Sequence, residues 1–304
     1  MNIIELRGVK KRYGEVEAVA GIDLAIREGE LFGLIGHNGA GKTTLFKMML
    51  GLVPPSAGEL RIGGQAVQGE AFRQVRRGIG YLPESLALYE NLSGLETLRF
   101  FARLKGAAPA SCLPLLEKVG LGEAAAQRVR GYSKGMRQRL GFAQALLGTP
   151  RLLFLDEPTN GLDPQGILEF YRLLDELRGR GVTVILTSHI LAEIQQRVDR
   201  LALIRDGRLQ ALGTVHSLRT ERDLPLSVYI VLRPGVEGAL QQALIPFGLA
   251  KIVIGDGVAR FKCPRSAKRA LLAVLAGLGE QLEDFELREP SLEDIFLGYA
   301  EDAA

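Results

Sequence analysis

Apolar and polar positions follow two rhythms along this chain. Short, almost wholly apolar runs at residues 30–35, 151–155 and 182–186 have the length and composition of strands buried on both faces. Residues 18–26 instead alternate, with Ile22, Leu24 and Ile26 on one face, as a half-buried strand does. Further strands are expected at 3–9, 59–62, 78–82, 200–204 and 208–211, with turns or loops at 10–14 and 54–58. Helical patterns occupy 44–50, 93–104, 113–119, 135–147, 165–178 and 191–198, the second opened by a capping box from Ser93 to Glu96. Strands alternating with helices predict an α/β domain, here with a helical subdomain near 85–145. The pattern restarts near residue 221. A strand at 228–232, a helix at 236–245, strands at 251–254 and 258–262 about Gly255-Asp256-Gly257, a helix at 267–278 and a strand at 285–288 give the order β-α-β-β-α-β. That predicts a small α+β, ferredoxin-like unit, so the chain divides into domains 1–220 and 221–304. Ser291 caps a last short helix running to Leu297.

Chemistry concentrates where the first buried run meets a helix. Gly36-His37-Asn38-Gly39-Ala40-Gly41-Lys42-Thr43-Thr44 has the spacing Gly-x-x-x-x-Gly-Lys-Thr, between an apolar strand and a helix start. Glycines let the backbone curl so that several N–H groups point at one phosphate group. The helix N-terminus adds partial positive charge there, Lys42 a full one, and the Thr43 hydroxyl suits Mg²⁺. The motif predicts a P-loop fold. A second apolar strand ends in Asp156 and Glu157. Beside a phosphate loop, the first carboxylate can hold Mg²⁺ and the second can orient or deprotonate a water.

Composition narrows the picture. The 304 residues carry 38 basic and 35 acidic side chains, a net +3 that gives no argument for nucleic acid. The basic stretch from Arg73 to Arg77 reads as a solvated face. Two cysteines, Cys112 and Cys263, make no disulfide framework and suit a reducing compartment. No run approaches about 18 apolar residues and the first residues lack an export signal's apolar core, so a cytoplasmic chain is expected, reaching a membrane only through a partner. With three His and four Met, no Cys-x-x-Cys and no paired-His spacing, no copper site is expected.

With these motifs in place, residues 1–215 resemble the ATP-binding subunit of an ABC transporter. The resemblance puts Gly36 to Thr44 at the Walker A motif, and Asp156 with Glu157 at Walker B and its catalytic glutamate. It implies that Tyr13 stacks on adenine, that Gly161-Leu162-Asp163 forms the D-loop, and that His189 is the switch histidine contacting the γ-phosphate. His37 and His216 keep ordinary surface roles as side chains. Tyr132-Ser133-Lys134-Gly135-Met136 is similar to the signature Leu-Ser-Gly-Gly-Gln, keeping Ser133 and Gly135 and departing at Lys134 and Met136. The resemblance implies that this turn contacts ATP held by an opposite copy, hence a homodimer with two shared sites. Glu84 stands where most relatives have a glutamine near Mg²⁺. A carboxylate there can ligate the ion but, when ionised, donates no hydrogen bond. ATP and Mg are the implied ligands. The implied partner is an integral membrane permease, which would hold this chain peripherally on the cytoplasmic face of the inner membrane.

A narrower resemblance rests on residues 80–84, 92–106 and 132–140, which look like the Nos-type ATPase that serves assembly of nitrous oxide reductase. It implies a copper or sulfur cargo and a periplasmic accessory protein. Drug and haem-maturation exporters share much of the same pattern and are the alternative. Soluble ABC proteins of translation, with two nucleotide domains in one chain, and DNA-repair ATPases, with motifs split by a long coiled coil, are the readings outside transport.

Overall fold

The computed structural model describes residues 1–188, 191–221, 224–249 and 251–295. They group into two units, Met1–Thr214 and Val215–Ala304. The strands of unit one are, in chain order, β1 (Asn2–Tyr13), β2 (Val16–Arg27), β3 (Leu31–Ile35), β4 (Ala57–Ile62), β5 (Gln65–Ala66), β6 (Ile79–Leu82), β7 (Leu152–Leu155), β8 (Thr183–Ser188), β9 (Arg200–Arg205) and β10 (Arg208–Gly213). Its helices are α1 (Lys42–Met49), α2 (Gly69–Arg77), α3 (Gly94–Lys105), α4 (Cys112–Lys118), α5 (Lys134–Ala145), α6 (Pro164–Gly179) and α7 (Leu191–Ile194).

Two sheets carry unit one. An antiparallel sheet in the order β2-β1-β4-β5 turns Ile4, Leu6, Ile22, Leu24 and Ile26 into the core. A larger sheet in the order β10-β9-β3-β8-β7-β6 is parallel from β9 to β6, with β10 antiparallel at its edge. Its central strands β3, β7 and β8 are buried along their whole length, as their unbroken apolar sequences require. Phe46 of α1 meets Phe154 of β7 edge to face at 5.3 Å, pinning the first helix onto the sheet. In open α/β sheets the ligand crevice lies beyond the carboxyl ends of the strands. Here the ends of β3, β6, β7 and β8 deliver Gly36, Glu84, Asp156 and Thr187–Ser188 to that side.

The helical subdomain is α3, α4 and α5. Ser93 opens α3 by the expected reciprocal cap: its Oγ accepts from Glu96 N–H at 3.2 Å, and Glu96 Oε2 accepts from Ser93 N–H at 2.8 Å. Such a cap stabilises a helix start by about 1 kcal/mol. Three local expectations change. Residues 10–13 extend β1 and do not turn, because they pair with β2 on one side and Lys10 with β4 on the other; the turn falls at Gly14 (φ +56°). The helix expected over 191–198 stops at Ile194, since Asp199 is drawn back onto β3 through Asp199 N–H to Leu31 O and Leu31 N–H to Asp199 Oδ2. And α2, a helix burying only Phe72, occupies the arginine-rich stretch.

Unit two begins with α8 (Val215–Glu221), ahead of the break expected at 220/221. It continues as β11 (Leu226–Leu232), α9 (Glu237–Leu244), β12 (Ile252–Gly255), β13 (Val258–Cys263), α10 (Lys268–Leu278) and β14 (Leu282–Arg288). The sheet order β12-β13-β11-β14, antiparallel at each pairing, is the arrangement of a ferredoxin-like fold. Its core is Val228, Ile230, Leu240, Leu244, Phe261, Leu271 and Leu275. Ser291 Oγ accepts from Asp294 N–H at 3.1 Å, as a cap should; the helix's expected end at Leu297 lies outside the described residues.

Candidate functional site

The loop after β3 can be built only from glycine at its two ends. A Cβ on Gly36 would collide with the carbonyl oxygen of Ile204, and one on Gly41 with that of Ala18. Gly41 also sits at φ +103°, a backbone region closed to ordinary side chains. With Gly41 as N-cap, α1 starts without a side-chain cap. Its first N–H groups therefore stay available, as helix geometry leaves them. Among the described residues no backbone carbonyl takes the N–H of Gly39 or Gly41. A cleft of about 550 Å³ opens here, lined by Asn38 to Thr44, Ala18, Glu84, Asp156 and Glu157.

Lys42 lies at the cleft with its Nζ donating to Gly36 O at 2.5 Å and His37 O at 3.0 Å. Burial pulls its ammonium below the usual lysine range, and the carboxylates of Glu157, Asp156 and Glu84 partly restore it. Asp156 is held in the opposite imbalance. Burial lifts its carboxyl above the ordinary aspartate range, against a hydrogen bond from Thr187, with the Glu84 and Glu157 charges adding to the rise. Burial together with Asp156 and Glu84 pushes the neighbouring Tyr81 phenol up to about 12. An excess of negative charge in a partly dry cleft is the electrostatic signature of a site waiting for a cation.

One hydroxyl organises the two carboxylates. Thr187 Oγ1 donates to Asp156 Oδ1 at 2.6 Å and accepts from Glu157 N–H at 2.9 Å. Gln138 of α5, itself buried, donates through Nε2 to Pro158 O at 2.9 Å and Glu157 O at 3.4 Å. These bonds hold Glu157 in a left-handed backbone conformation, φ +48°, which costs a non-glycine residue of order 1–3 kcal/mol and persists where the surroundings enforce it. Neither Thr187 nor Gln138 carries a motif by itself. The signal for Thr187 was its place at the tip of the strand next to β7: the pairing of Leu155 with Leu186 sets Asp156 beside Thr187.

Thr43 and Thr44 line the cleft with Lys42. His37 turns its ring outward, Nε2 lying 3.5 Å from Asp206 Oδ1, so only its backbone belongs to the loop. Tyr13 stands half exposed at the end of β1, its ring 5.1 Å from Lys11 Nζ, and is not part of the cleft wall. Ser133 and Gly135 line a different cleft with Gly161 and Asp163. There Ser133 Oγ caps α5 by accepting from Met136 N–H at 3.2 Å, and a Cβ on Gly135 would press to 2.9 Å of Gly161 O. His189 lies outside the described residues.

Thr43, Glu84, Asp156 and Glu157 offer hard oxygen donors, the kind Mg²⁺ takes. Among the described residues no cluster of three or more His, Cys, Asp or Glu forms a metal cage. The residues at the cleft thus fit an ion that completes its shell with nucleotide oxygens and water. No helix among the described residues is long and apolar enough to cross a membrane.

Known proteins agree with this geometry. The family described as ABC transporter matches residues 19–160. The daunorubicin resistance ATP-binding protein DrrA3 of Streptomyces coeruleorubidus is 38% identical over 302 residues, covering 97% of this chain and 94% of that one. The bacitracin transport ATP-binding protein BcrA of Bacillus licheniformis is 41% identical over 209 residues, 68% of each chain. Among solved structures, an ATP-binding subunit of an ABC transporter superposes with a TM-score of 0.66 at 31% identity, covering 72% of this chain and 92% of that one. A dimeric ATP-binding cassette in a post-hydrolysis state with ADP and Pi gives 0.64 at 26% identity, covering 70% and 98%. The glycine-ended loop, the buried Asp156–Glu157 turn and kinship along nearly the whole length have one reading: the chain belongs to the ATP-hydrolysing, ATP-binding subunits of ABC transporters.

Proposed function

We propose that this subunit powers export of drug- or antibiotic-like molecules, working as a pair of copies beneath a membrane permease. The observation that carries the reading is the 38% identity to a daunorubicin resistance ATP-binding protein, which runs through unit two as well as unit one. Bacitracin and lantibiotic transport ATP-binding proteins at 41% and 38% identity lean the same way. These relatives support the exporter alternative better than nitrous oxide reductase maturation. The copper or sulfur cargo and the periplasmic accessory protein belong to the maturation reading and gain no separate support.

In this proposal unit one binds and hydrolyses ATP and unit two is an accessory module. The loop N–H groups and Lys42 take the β- and γ-phosphates. Thr43 and Asp156, with Glu84 beside them, would hold Mg²⁺, which when bound neutralises phosphate charge. Glu157 faces the attacking water and accepts its proton; His189 is assigned to the γ-phosphate and Tyr13 to the adenine. Since Ser133 and Gly135 line a cleft apart from the phosphate loop of their own chain, they serve the nucleotide of the second copy. The permease docks along α3 near Tyr89, whose exposed ring meets Phe100 at 5.6 Å.

Deleting the gene tests the reading. Sensitivity to amphipathic antibiotics should rise while nitrous oxide reduction is unchanged, and Glu157→Gln should fail to restore resistance. Unaltered sensitivity with loss of nitrous oxide reductase would favour the maturation role instead. Photocrosslinking from Tyr89 in native membranes should capture an integral membrane protein.

A further inference from the structure

The arginine-rich stretch does more than face solvent. Arg73, Arg76 and Arg77 of α2 converge with Arg103 and Lys105 of α3 around a cleft of about 610 Å³, completed by Leu104, Gly106 and Gly148. The whole chain is nearly balanced, 38 basic against 35 acidic residues, yet this lining holds five cations and no acid. Of the five, Arg73 pairs with an acid off the wall, Glu70, which accepts from it at 3.1 Å. Arg76 lies over the Phe72 ring at 5.4 Å, and Lys105 Nζ donates to Ile79 O at 3.1 Å. The side chains of Arg77 and Arg103 make no ion pair or hydrogen bond among the described residues. Ile79 begins β6 while Glu84 follows its far end, so the cleft sits at the opposite end of that strand from the nucleotide site.

A bland account exists. Arg76, Arg77, Arg103 and Lys105 fall in the last turns of their helices, where cations offset the helix dipole. That accounts for each residue singly. It does not account for two helices aiming their last turns, plus Arg73, into one concavity with no acid on its wall. Like charges so gathered repel one another unless an anion joins them. Burial also holds the Lys105 ammonium below the usual lysine range, a cost that an arriving anion reverses.

We infer that the α2–α3 cleft is a second anion site, separate from the ATP site, that takes a phosphate-bearing polyanion. The phosphate is carried either by an anionic lipid headgroup or by a free soluble polyphosphate. Paired arginine guanidiniums suit its oxygens by forked hydrogen bonds, and exposed Leu104 gives the rim one apolar contact.

The test uses the full chain with its phosphate loop filled by saturating MgADP. One arm measures co-sedimentation with phosphatidylcholine vesicles with and without phosphatidylglycerol. The other titrates pyrophosphate calorimetrically. The double reversal Arg77→Glu/Arg103→Glu should weaken binding in one arm by about tenfold or more, and added salt should weaken the parent. MgATP binding at the loop should not change. A control reversal of two exposed arginines elsewhere in unit one, Arg172→Glu/Arg180→Glu on α6 and at its C-cap, should keep binding near the parent level. Should the double variant misfold, Arg103→Gln alone should show a smaller loss in the same arm. Response only to anionic vesicles assigns a lipid headgroup, and response only to pyrophosphate a soluble ligand. If neither arm separates parent from double variant, or if the control pair loses as much, the inference is overturned.

Discussion

Two helices of unit one begin at the turns to which nucleotide contacts are assigned in the proposed function, and they begin in opposite ways. α1 starts from Gly41 with no side-chain cap, so its N–H groups face the cleft uncommitted. α5 starts from Ser133, whose Oγ already accepts from Met136 N–H. The first start is a receptor complete within one chain, with Lys42, Asp156 and Glu157 around it. The second is satisfied on its own, and the charged groups on its cleft wall are Arg139, Glu123 and Asp163, with no phosphate loop among them. Its neighbours are Gly161 and Asp163 at the start of α6. In the proposed function a site divided this way binds nucleotide in each copy and closes when a second copy supplies the capped start.

The largest effect that sharpens this contrast should come from Glu157→Gln. The amide keeps shape but accepts no proton, so turnover should fall on the order of 10²–10⁴-fold while ATP binding survives. That is roughly 3–5 kcal/mol on the barrier. Unhydrolysed ATP should then hold two chains together, visible as an ATP-dependent dimer in size-exclusion chromatography that separates when MgATP is withdrawn. Turnover at the parent rate would mean that another group positions the water. Lys42→Ala should come next, removing roughly 10²-fold or more of ATP affinity, since a charge-assisted contact in a partly dry cleft is lost. Calorimetry showing parental affinity would make the uncapped N–H groups sufficient alone.

Much of the first start was legible in the chain and much of its support was not. The strand, the loop from Gly36 and the helix lie in one contiguous stretch, so spacing alone located them. The β-α-β-β-α-β order of unit two was legible for the same reason, because neighbours in sequence are neighbours in its sheet or separated by one helix. Thr187 was not, because its hydrogen bond to Asp156 spans 31 residues and exists only through the register of two parallel strands. The helix α2 hid because it buries a single side chain, Phe72, and leaves no apolar stripe to read. Its meeting with Arg103 of α3 is likewise a product of packing. Residues 10–13 read as a turn because lysine and arginine look polar in sequence, whereas a strand edge over solvent tolerates them.

A middling effect should come from Thr187→Val. It removes the donor to Asp156 and orphans the buried N–H of Glu157, a loss of about 1–3 kcal/mol in stability. Turnover should fall roughly tenfold, with Thr187→Ser restoring most of it. The hydrogen bond from Thr187 favours ionised Asp156, so without it the carboxyl climbs further above its ordinary range. The acid limb of kcat/KM should therefore move to higher pH. A pH profile unchanged in Thr187→Val would leave the hydroxyl a merely structural role. The raised Asp156 value also bears on the empty protein. Its ionisation costs stability that is intact below the usual aspartate range and is lost as pH rises through the raised value. Asp156→Asn should accordingly melt above the parent at neutral pH, show no such gain near about pH 3, and lose Mg²⁺-dependent ATP binding.

The smallest and most discriminating effect concerns Ser133. Its Oγ uses one lone pair for the α5 cap, and its O–H hydrogen remains free to donate to a phosphate, so capping and nucleotide contact do not compete. Ser133→Ala removes both functions. The cap is worth about 1 kcal/mol, which lowers the melting temperature by about 2–4 °C in a domain this size. Ser133→Asp separates them, because aspartate caps a helix about as well as serine but sets a negative charge toward the incoming phosphate. In a Glu157→Gln background, the Ala variant should still dimerise with ATP, at a several-fold higher nucleotide concentration. The Asp variant should melt like its parent, bind ATP as a monomer like its parent, and fail to dimerise. Dimerisation of the Asp variant at parental ATP levels would show that the Ser133 turn faces no phosphate, and α5 would then be only a capped helix, unlike α1 in function as well as in form.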